Sequence, residues 1–261
     1  MTRITSTHNQ QIKQIRALRL RKVREERDQF LIEGQLALQA ALLHGARIEL
    51  VIAAPELGGR IPAGIGMPVL EVSAEVFASI SQKATSRGIA AVVRQHWSQL
   101  HDIWLKQGFV VILEGCQYPG NLGTIVRTAD ASGSRGVVLV GDTADPYDHQ
   151  AVRASTKALF AQPLVRTDYA ALLRWKQRHG LALVGASPEA HCDYRGLAYP
   201  RPVGLAFGSE GGGLSAHMRS LCDELVYIPM AGQSDSLNLA VAAGLVMYEV
   251  AHQQRLEVRE T

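Results

Sequence analysis

Three polar loops of this chain hold side chains that could do chemistry together. The first reads EGCQYPGNLGTIVRTADASG over residues 114–133 and contains Asn121 and Arg127. Asn121 is an N-cap candidate for the helix that follows Pro119–Gly120. Arg127 stands just under two turns further on, so both can be presented to one cavity. The second loop, FGSEGGGLS over residues 207–215, has four glycines, which let backbone approach a ligand closely and adopt positive φ. No lysine follows them, the dinucleotide G-x-G-x-x-G spacing is absent, and Glu210 stands where a nucleophile elbow needs Ser,. The third, MAGQSDSLNLAVAAGLVMYE over residues 230–249, places Ser236 and Asn238 at the start of an apolar helix, where free N–H groups suit an anion or a carboxylate. Each loop also has a plain reading: a cap with a surface arginine, a tight strand-to-helix turn, and a helix capped by Ser234, Asp235 or Ser236.

The elements that must position these loops are legible from Phe109 onward. Apolar, β-prone runs at Phe109–Leu113, Gly136–Val140, Leu181–Val184, Val203–Phe207 and Leu225–Ile228 alternate with helical patterns. The helices are expected at Thr124–Ala131, Tyr169–Arg178, Leu214–Leu221 and from Leu239. Such alternation predicts an α/β fold, a parallel sheet buried on both faces by helices. Ligands in these sheets gather in loops beyond the carboxyl ends of strands. The N-terminal third predicts a smaller α/β unit. Ile12, Ile15 and Leu18 recur at helical spacing, followed by a strand at Phe30–Ile32, a helix at Gln35–Leu43, and strands at Leu50–Ala53 and Gly88–Val93,. Residues 54–67 read as a Pro- and Gly-rich loop. The expected division is residues 1–96, a linker at 97–108, and 109–261.

With 261 residues, 47% hydrophobic and 20% charged, the chain can bury one or two ordinary cores. The net charge is only +3, but the first 24 residues carry Arg3, Lys13, Arg16, Arg19, Arg21, Lys22 and Arg24 with no acid among them. That pattern is either a nucleic-acid-binding surface or a solvated helix face. Cys116, Cys192 and Cys222 lie far apart without metal-ligand spacing, so no metal is expected and a reducing, cytoplasmic setting is. No secretory h-region opens the sequence, and the apolar stretch Ser236–Tyr248 is too short to span a membrane,.

Taken jointly and in this order, N-L-G-x-x-x-R-T-A, G-S-E-G-x-G-L-S and I-P-M-x-G-x-x-x-S-L-N-x-x-x-A resemble the three signature motifs of the SpoU (TrmH-type) RNA 2′-O-methyltransferases of the SPOUT superfamily. The resemblance covers residues 109–252. The basic N-terminal third is similar to the RNA-binding domain of many rRNA-directed members, related in fold to ribosomal protein L30e. The family implies a deep trefoil knot in the C-terminal domain with S-adenosylmethionine bound inside it. Gly208, Ile228 and Leu237 would contact that cofactor, with Met230 and Gly232 in the same loop system. Arg127 becomes the leading catalytic candidate, supported by Asn121, Glu210, Ser236 and Asn238. Arg16, Arg19, Arg21 and Lys22 are RNA-contact candidates. Arg153 and Lys157 join them on VRASTKA, where the family's usual R-A-S-x-G-A has Gly in place of Lys157. A homodimer through the C-terminal domain is implied, with catalytic arginine and cofactor drawn from different subunits. The expected reaction is 2′-O-methylation of a ribose in RNA, 23S rRNA ahead of tRNA because minimal tRNA enzymes often lack the extra domain. From another class, a non-catalytic RNA-binding or ribosome-assembly factor could retain the knot; intact Arg127, Glu210 and Asn238 stand against it. The missing fingerprint disfavours a nucleotide-cofactor oxidoreductase.

Overall fold

The computed structural model describes residues 3–62, 65–82, 87–105 and 108–260, excluding the side chains of 256–260. Parts of the expected loop at 54–67 and linker at 97–108 therefore lie outside the described residues. Two compact units emerge. One comprises Met1–His96 with Asp145–Phe160, the other Trp97–Ala144 with Ala161–Thr261.

The first unit opens with helices α1 (Gln10–Ala17) and α2 (Arg21–Arg27), then β1 (Gln29–Glu33), α3 (Gln35–Leu43), β2 (Ile48–Ala53), β3 (Val69–Glu71), α4 (Ala74–Ile80) and β4 (Ile89–Arg94). Its sheet runs β1-β4-β2-β3, with β4 antiparallel to both neighbours and β3 parallel to β2. Helical spacing puts Ile12, Ile15 and Leu18 on one face, and they are buried against Val76, Phe77 and Ile80 of α4 over Ile52 and Val92 of the sheet,.

The second unit holds β5 (Phe109–Glu114), α5 (Pro119–Ser132) and β6 (Val137–Val140). After α6 (His149–Ser155) and α7 (Ala158–Ala161) come β7 (Leu164–Thr167), α8 (Tyr169–His179), β8 (Ala182–Ala186), β9 (Cys192–Asp193), β10 (Val203–Phe207), α9 (Ala216–Leu221), β11 (Glu224–Tyr227) and α10 (Leu239–Glu260). The strand order is β7-β6-β5-β10-β8-β11-β9, every pair parallel. Central strands β5 and β10 are buried along their whole length, which is why they read as unbroken apolar runs. Trp175 of α8 and Met218 of α9 pack on Val110, Ile112 and Leu183 of the sheet. β7 escaped the sequence reading because half of its four residues, Arg166 and Thr167, are not buried. α5 starts five residues earlier than expected, at Pro119, because proline preorganises the first helical position.

Residues 145–160 complete the first unit. Arg24 is only 3% exposed. Its Nε donates to Asp145 at 2.7 Å, and its Nη1 donates to the carbonyls of Leu18 and Arg19 at 3.0 and 2.8 Å. Nη2 reaches Asp148 at 3.4 Å. The Phe30 ring lies 4.7 Å from that of Tyr147 and 6.4 Å from that of Phe160. Arg24, which the charge pattern put on a basic surface, is therefore an interior residue. Its two carboxylate partners lie more than a hundred positions away in sequence, and no local pattern announces them.

Candidate active site

All three polar loops sit in the second unit, beyond the carboxyl ends of β5, β10 and β11, and one chain of hydrogen bonds joins them. Glu210 accepts the backbone amides of Gln117 at 2.9 Å and Tyr118 at 3.2 Å, where α5 begins. It also accepts Nδ2 of Asn121 at 2.9 Å. Asn121 Oδ1 in turn accepts Nδ2 of Asn238 at 3.0 Å. Asn238 Oδ1 accepts the amides of Ala240 at 2.9 Å and Val241 at 3.4 Å, so Asn238 caps α10. Neither of two capping expectations holds. Tyr118 occupies the N-cap position of α5 and Asn121 lies inside the first turn; Asn238, rather than Ser234, Asp235 or Ser236, caps α10.

Partial burial pushes the Glu210 carboxyl up, but the Gln117 amide, Asn121 and the Tyr118 amide more than offset it. The carboxyl is held below the ordinary glutamate value and is ionised near neutrality. An ionised carboxylate can face only the NH₂ end of Asn121, which fixes the Asn121 amide and aims its oxygen at Asn238. The buried Cys116 thiol, 3.6 Å from Glu210, is pushed up to about 12 by burial first and then by that charge, so it stays protonated and inert.

Beside this chain lies a cleft of about 300 Å³ lined by Phe207, Gly208, Glu210, Gly211 to Gly213, Val226, Ile228, Met230, Ser236 and Leu237, among others. A Cβ on Gly208 would stand 1.9 Å from the Gly213 carbonyl carbon, so only glycine allows that turn. Ser209 and Gly213 exchange two backbone hydrogen bonds of 3.0 Å that close it. Of the expected cofactor residues, Gly208, Ile228, Met230 and Leu237 line the cleft, and Gly232 is not among its lining residues. The cleft also takes in Ser187, Pro188 and Glu189 after β8, and Arg219, which pairs with Glu189. Sequence reasoning missed these. Their position beyond the carboxyl end of a recognised strand was the available signal.

Arg127 stands apart. Six residues separate it from Asn121, so the two side chains leave the helix about 120° apart rather than on one side. Arg127 is exposed and makes no hydrogen bond or ion pair among the described residues. Within one chain it does not join the other four candidates. Ser236 lines the cleft and is exposed.

The RNA-contact candidates divide. Arg19 donates to the carbonyls of Ser79, Ile80 and Ser81 at the end of α4, at 2.8, 3.0 and 3.1 Å. Arg21 and Lys22 pair with Glu25 and Glu26 one turn along α2. Arg16 is half-buried, while Arg153 and Lys157 are exposed. At the segment's departure from R-A-S-x-G-A, positive φ falls on Thr156 at 55°, one residue before Lys157. Among the described residues no group of acids, histidines or cysteines could hold a metal, and no helix is long and apolar enough to cross a membrane.

Residues 108–248 match the SpoU rRNA Methylase family, and residues 9–91 match the MRM3-like substrate binding domain. The chain is 30% identical to the 23S rRNA (guanosine(2553)-2′-O)-methyltransferase RlmP of Bacillus subtilis, over 96% of this chain and 99% of that protein. Its fold is similar to the AdoMet-bound rRNA methyltransferase from Sinorhizobium meliloti, with a TM-score of 0.86 and 34% identity over 96% and 97% of the two chains. It is also similar to the SpoU methyltransferase AviRb from Streptomyces viridochromogenes in complex with AdoMet, with a TM-score of 0.88 and 29% identity over 95% and 99%. With its three motif loops joined through Glu210, Asn121 and Asn238, the chain belongs to the SpoU rRNA methylase family.

Proposed function

We propose that this protein transfers a methyl group from S-adenosylmethionine to a ribose 2′-hydroxyl of 23S rRNA. The observation that carries the reading is the Glu210–Asn121–Asn238 chain beside a glycine-walled cleft. The residues fit the cofactor. The cleft volume lies at the lower end of the ordinary ligand range, apolar walls from Phe207, Val226 and Ile228 suit an adenine, and Gly208 keeps its backbone within reach of a ligand. Gly208, Ile228, Met230 and Leu237 would hold it, with Gly232 further along the same segment. When bound, the cofactor supplies a methyl already activated by a sulfonium, so the protein has chiefly to orient the hydroxyl and accommodate its proton.

Glu210 holds Asn121; it is ionised but already accepts the Gln117 and Tyr118 amides, Asn121 and the Cys116 thiol, so it serves as an anchor rather than a proton acceptor. Asn121, Asn238 and Ser236 orient the hydroxyl. Arg127 ends in a guanidinium, which donates hydrogen bonds and accepts none, so it is no base. With no hydrogen bond or ion pair among the described residues, it can hold the neighbouring phosphate or the developing alkoxide. It would be delivered from a second copy of the chain. α10 leaves Val241, Leu245 and Tyr248 exposed at 52%, 39% and 51%, an i, i+4, i+7 apolar stripe opposite the buried Ala243, Val246, Met247 and Val250. That stripe supports a homodimer through the C-terminal domain. The strand order, with β10 lodged between β5 and β8, is compatible with the trefoil knot. Residues 1–96, completed by 145–160, would form the L30e-like RNA-binding part, 97–108 the linker and the rest of 109–261 the methyltransferase, with Arg16, Arg19, Arg21, Lys22, Arg153 and Lys157 facing RNA. Three free thiols suit a cytoplasmic setting.

Mapping ribose methylation in rRNA and tRNA from a deletion strain tests the reading. One 23S rRNA ribose losing its methyl group is expected. A change confined to tRNA would move the substrate. No change, with purified protein binding RNA but not cofactor, would replace the enzyme by a binding factor. A pH–rate profile of Arg127→Lys and Arg127→Ala tests the electrostatic role; a limb near neutrality that vanishes with the arginine would overturn it.

A further inference from the structure

A buried carboxylate outside the motif residues lies beneath the glycine turn. Glu114 ends β5 and is only 6% exposed. One of its oxygens accepts the Ser215 backbone amide at 2.8 Å, and the other accepts the Ser215 hydroxyl and the Tyr169 hydroxyl, each at 2.5 Å. No cation lies within ion-pair distance of it among the described residues, so these three donors carry its charge. Burying a carboxylate this way is costly unless every partner is held in place. Ser215 directly follows the turn over residues 208–214 and caps α9, its hydroxyl also accepting the Met218 amide at 3.0 Å. Leu214, just before it, is buried. The turn is thus pinched at its own neck by the Ser209–Gly213 pair and pinned at its exit by Glu114. Tyr169 braces the pin: its hydroxyl proton is held by Glu114 first and by burial second, which raises its pKa, and its ring meets His217 edge-on at 4.6 Å.

We propose that Glu114 is a positioning residue for the cofactor cleft, fixing the glycine turn through Ser215 and thereby both the Gly208 backbone and the placement of Glu210. This rests on the reading of the cleft as an S-adenosylmethionine site. Glu114 touches no substrate atom; it acts through the turn. Its removal therefore raises the KM for S-adenosylmethionine before it touches the turnover of saturated enzyme or the affinity for RNA.

The test is calorimetric titration of S-adenosylhomocysteine into the full-length protein and its Glu114→Gln, Glu114→Asp and Tyr169→Phe variants, alongside KM, kcat and RNA binding. Wild-type protein that binds no S-adenosylhomocysteine would dismiss the reading of the cleft itself, whatever the variants do. Given wild-type binding, Glu114→Gln is expected to weaken it roughly tenfold or more, because a hydrogen-bonded charge is replaced by a neutral amide. RNA affinity stays at the wild-type level, and Glu114→Asp recovers part of the loss. Tyr169→Phe, which removes one donor and leaves the Ser215 pin, gives a smaller loss in the same direction and serves if Glu114→Gln does not fold. Unchanged cofactor affinity in both Glu114→Gln and Tyr169→Phe overturns the proposal. So does a parallel fall of RNA binding, kcat and thermal stability, which marks a general structural role.

Discussion

Asn238 caps α10 with its oxygen and holds Asn121 with its nitrogen, and substitution can separate the two tasks. In Asn238→Asp the capping oxygen remains, and Asp caps about as well as Asn. The second oxygen then faces the Asn121 oxygen, 3.0 Å away from the atom it replaces. Asn121 cannot rotate its amide to escape, because that would aim its oxygen at the ionised Glu210, now 2.9 Å from its nitrogen. A donor is lost and two acceptors are opposed, which costs about 0.5–1.5 kcal/mol at this exposed contact,. If Asn121 orients the reacting hydroxyl, kcat/KM falls roughly 3- to 10-fold. Stability falls by no more than that free-energy cost, since the cap survives,. Asn238→Ala removes both functions. It should lose the same activity and, in addition, about 1 kcal/mol of cap energy, seen as a midpoint lowered by roughly 2–4 °C. Single-turnover methylation with saturating cofactor, together with thermal unfolding, reads both quantities. Asn238→Asp with kcat/KM within twofold of wild type would refute the reasoning, because the amide chain would then orient nothing.

The depressed Glu210 carboxyl stabilises the fold fully above the ordinary glutamate value of 4.5, and that contribution is lost as pH falls through its lower folded value,. Glu210→Gln should flatten this part of the acid branch in urea titrations at successive pH values; an unaltered branch would show that the pairing adds no stability. Gly208→Ala, whose Cβ would overlap Gly213, should abolish S-adenosylhomocysteine binding by calorimetry. Gly232→Ala, where a Cβ meets nothing within 4 Å, should retain it. Arg24→Met strands Asp145 in the interior and should cost about 3–5 kcal/mol. The double variant Arg24→Met/Asp145→Asn keeps the acceptor for the Tyr147 amide and should be milder in denaturant unfolding; equal losses would argue against a buried pair.

The sequence is most informative where one local rule suffices. Val203–Phe207 and Gln35–Leu43 are found with the expected ends, because a buried central strand and an uncharged helix closed near Gly45 each carry their signal within a few residues. Pro119 also announced the start of α5 locally, but the polar run around Asn121 drew attention to the wrong cap. What stayed hidden depends on partners distant in sequence. Asn121 meets Glu210 and Asn238, 89 and 117 positions away, and only the strand order β5-β10-β8-β11 brings their loops to one end of the sheet. Charge pattern cannot tell Arg24, buried on two aspartates, from Lys13, which is exposed. The motifs named the residues of the site; which amide faces which carboxylate is a property of the assembled sheet.

The membership of residues 145–160 in the first unit has a consequence for synthesis and for grafting. A nascent chain that has released only its first 96 residues holds Arg24 without its carboxylates and Phe30 without Tyr147 or Phe160. Those partners emerge only after β5, α5 and β6 have been made, so the earlier unit waits on the later one for its final closure. Closing contacts over such separations are paid for late and form slowly. The same topology sets the rule for exchanging the substrate-binding part between relatives. A graft cut at the end of the first 96 residues would mix two ancestries within one core. One that carries 145–160 along moves the core whole.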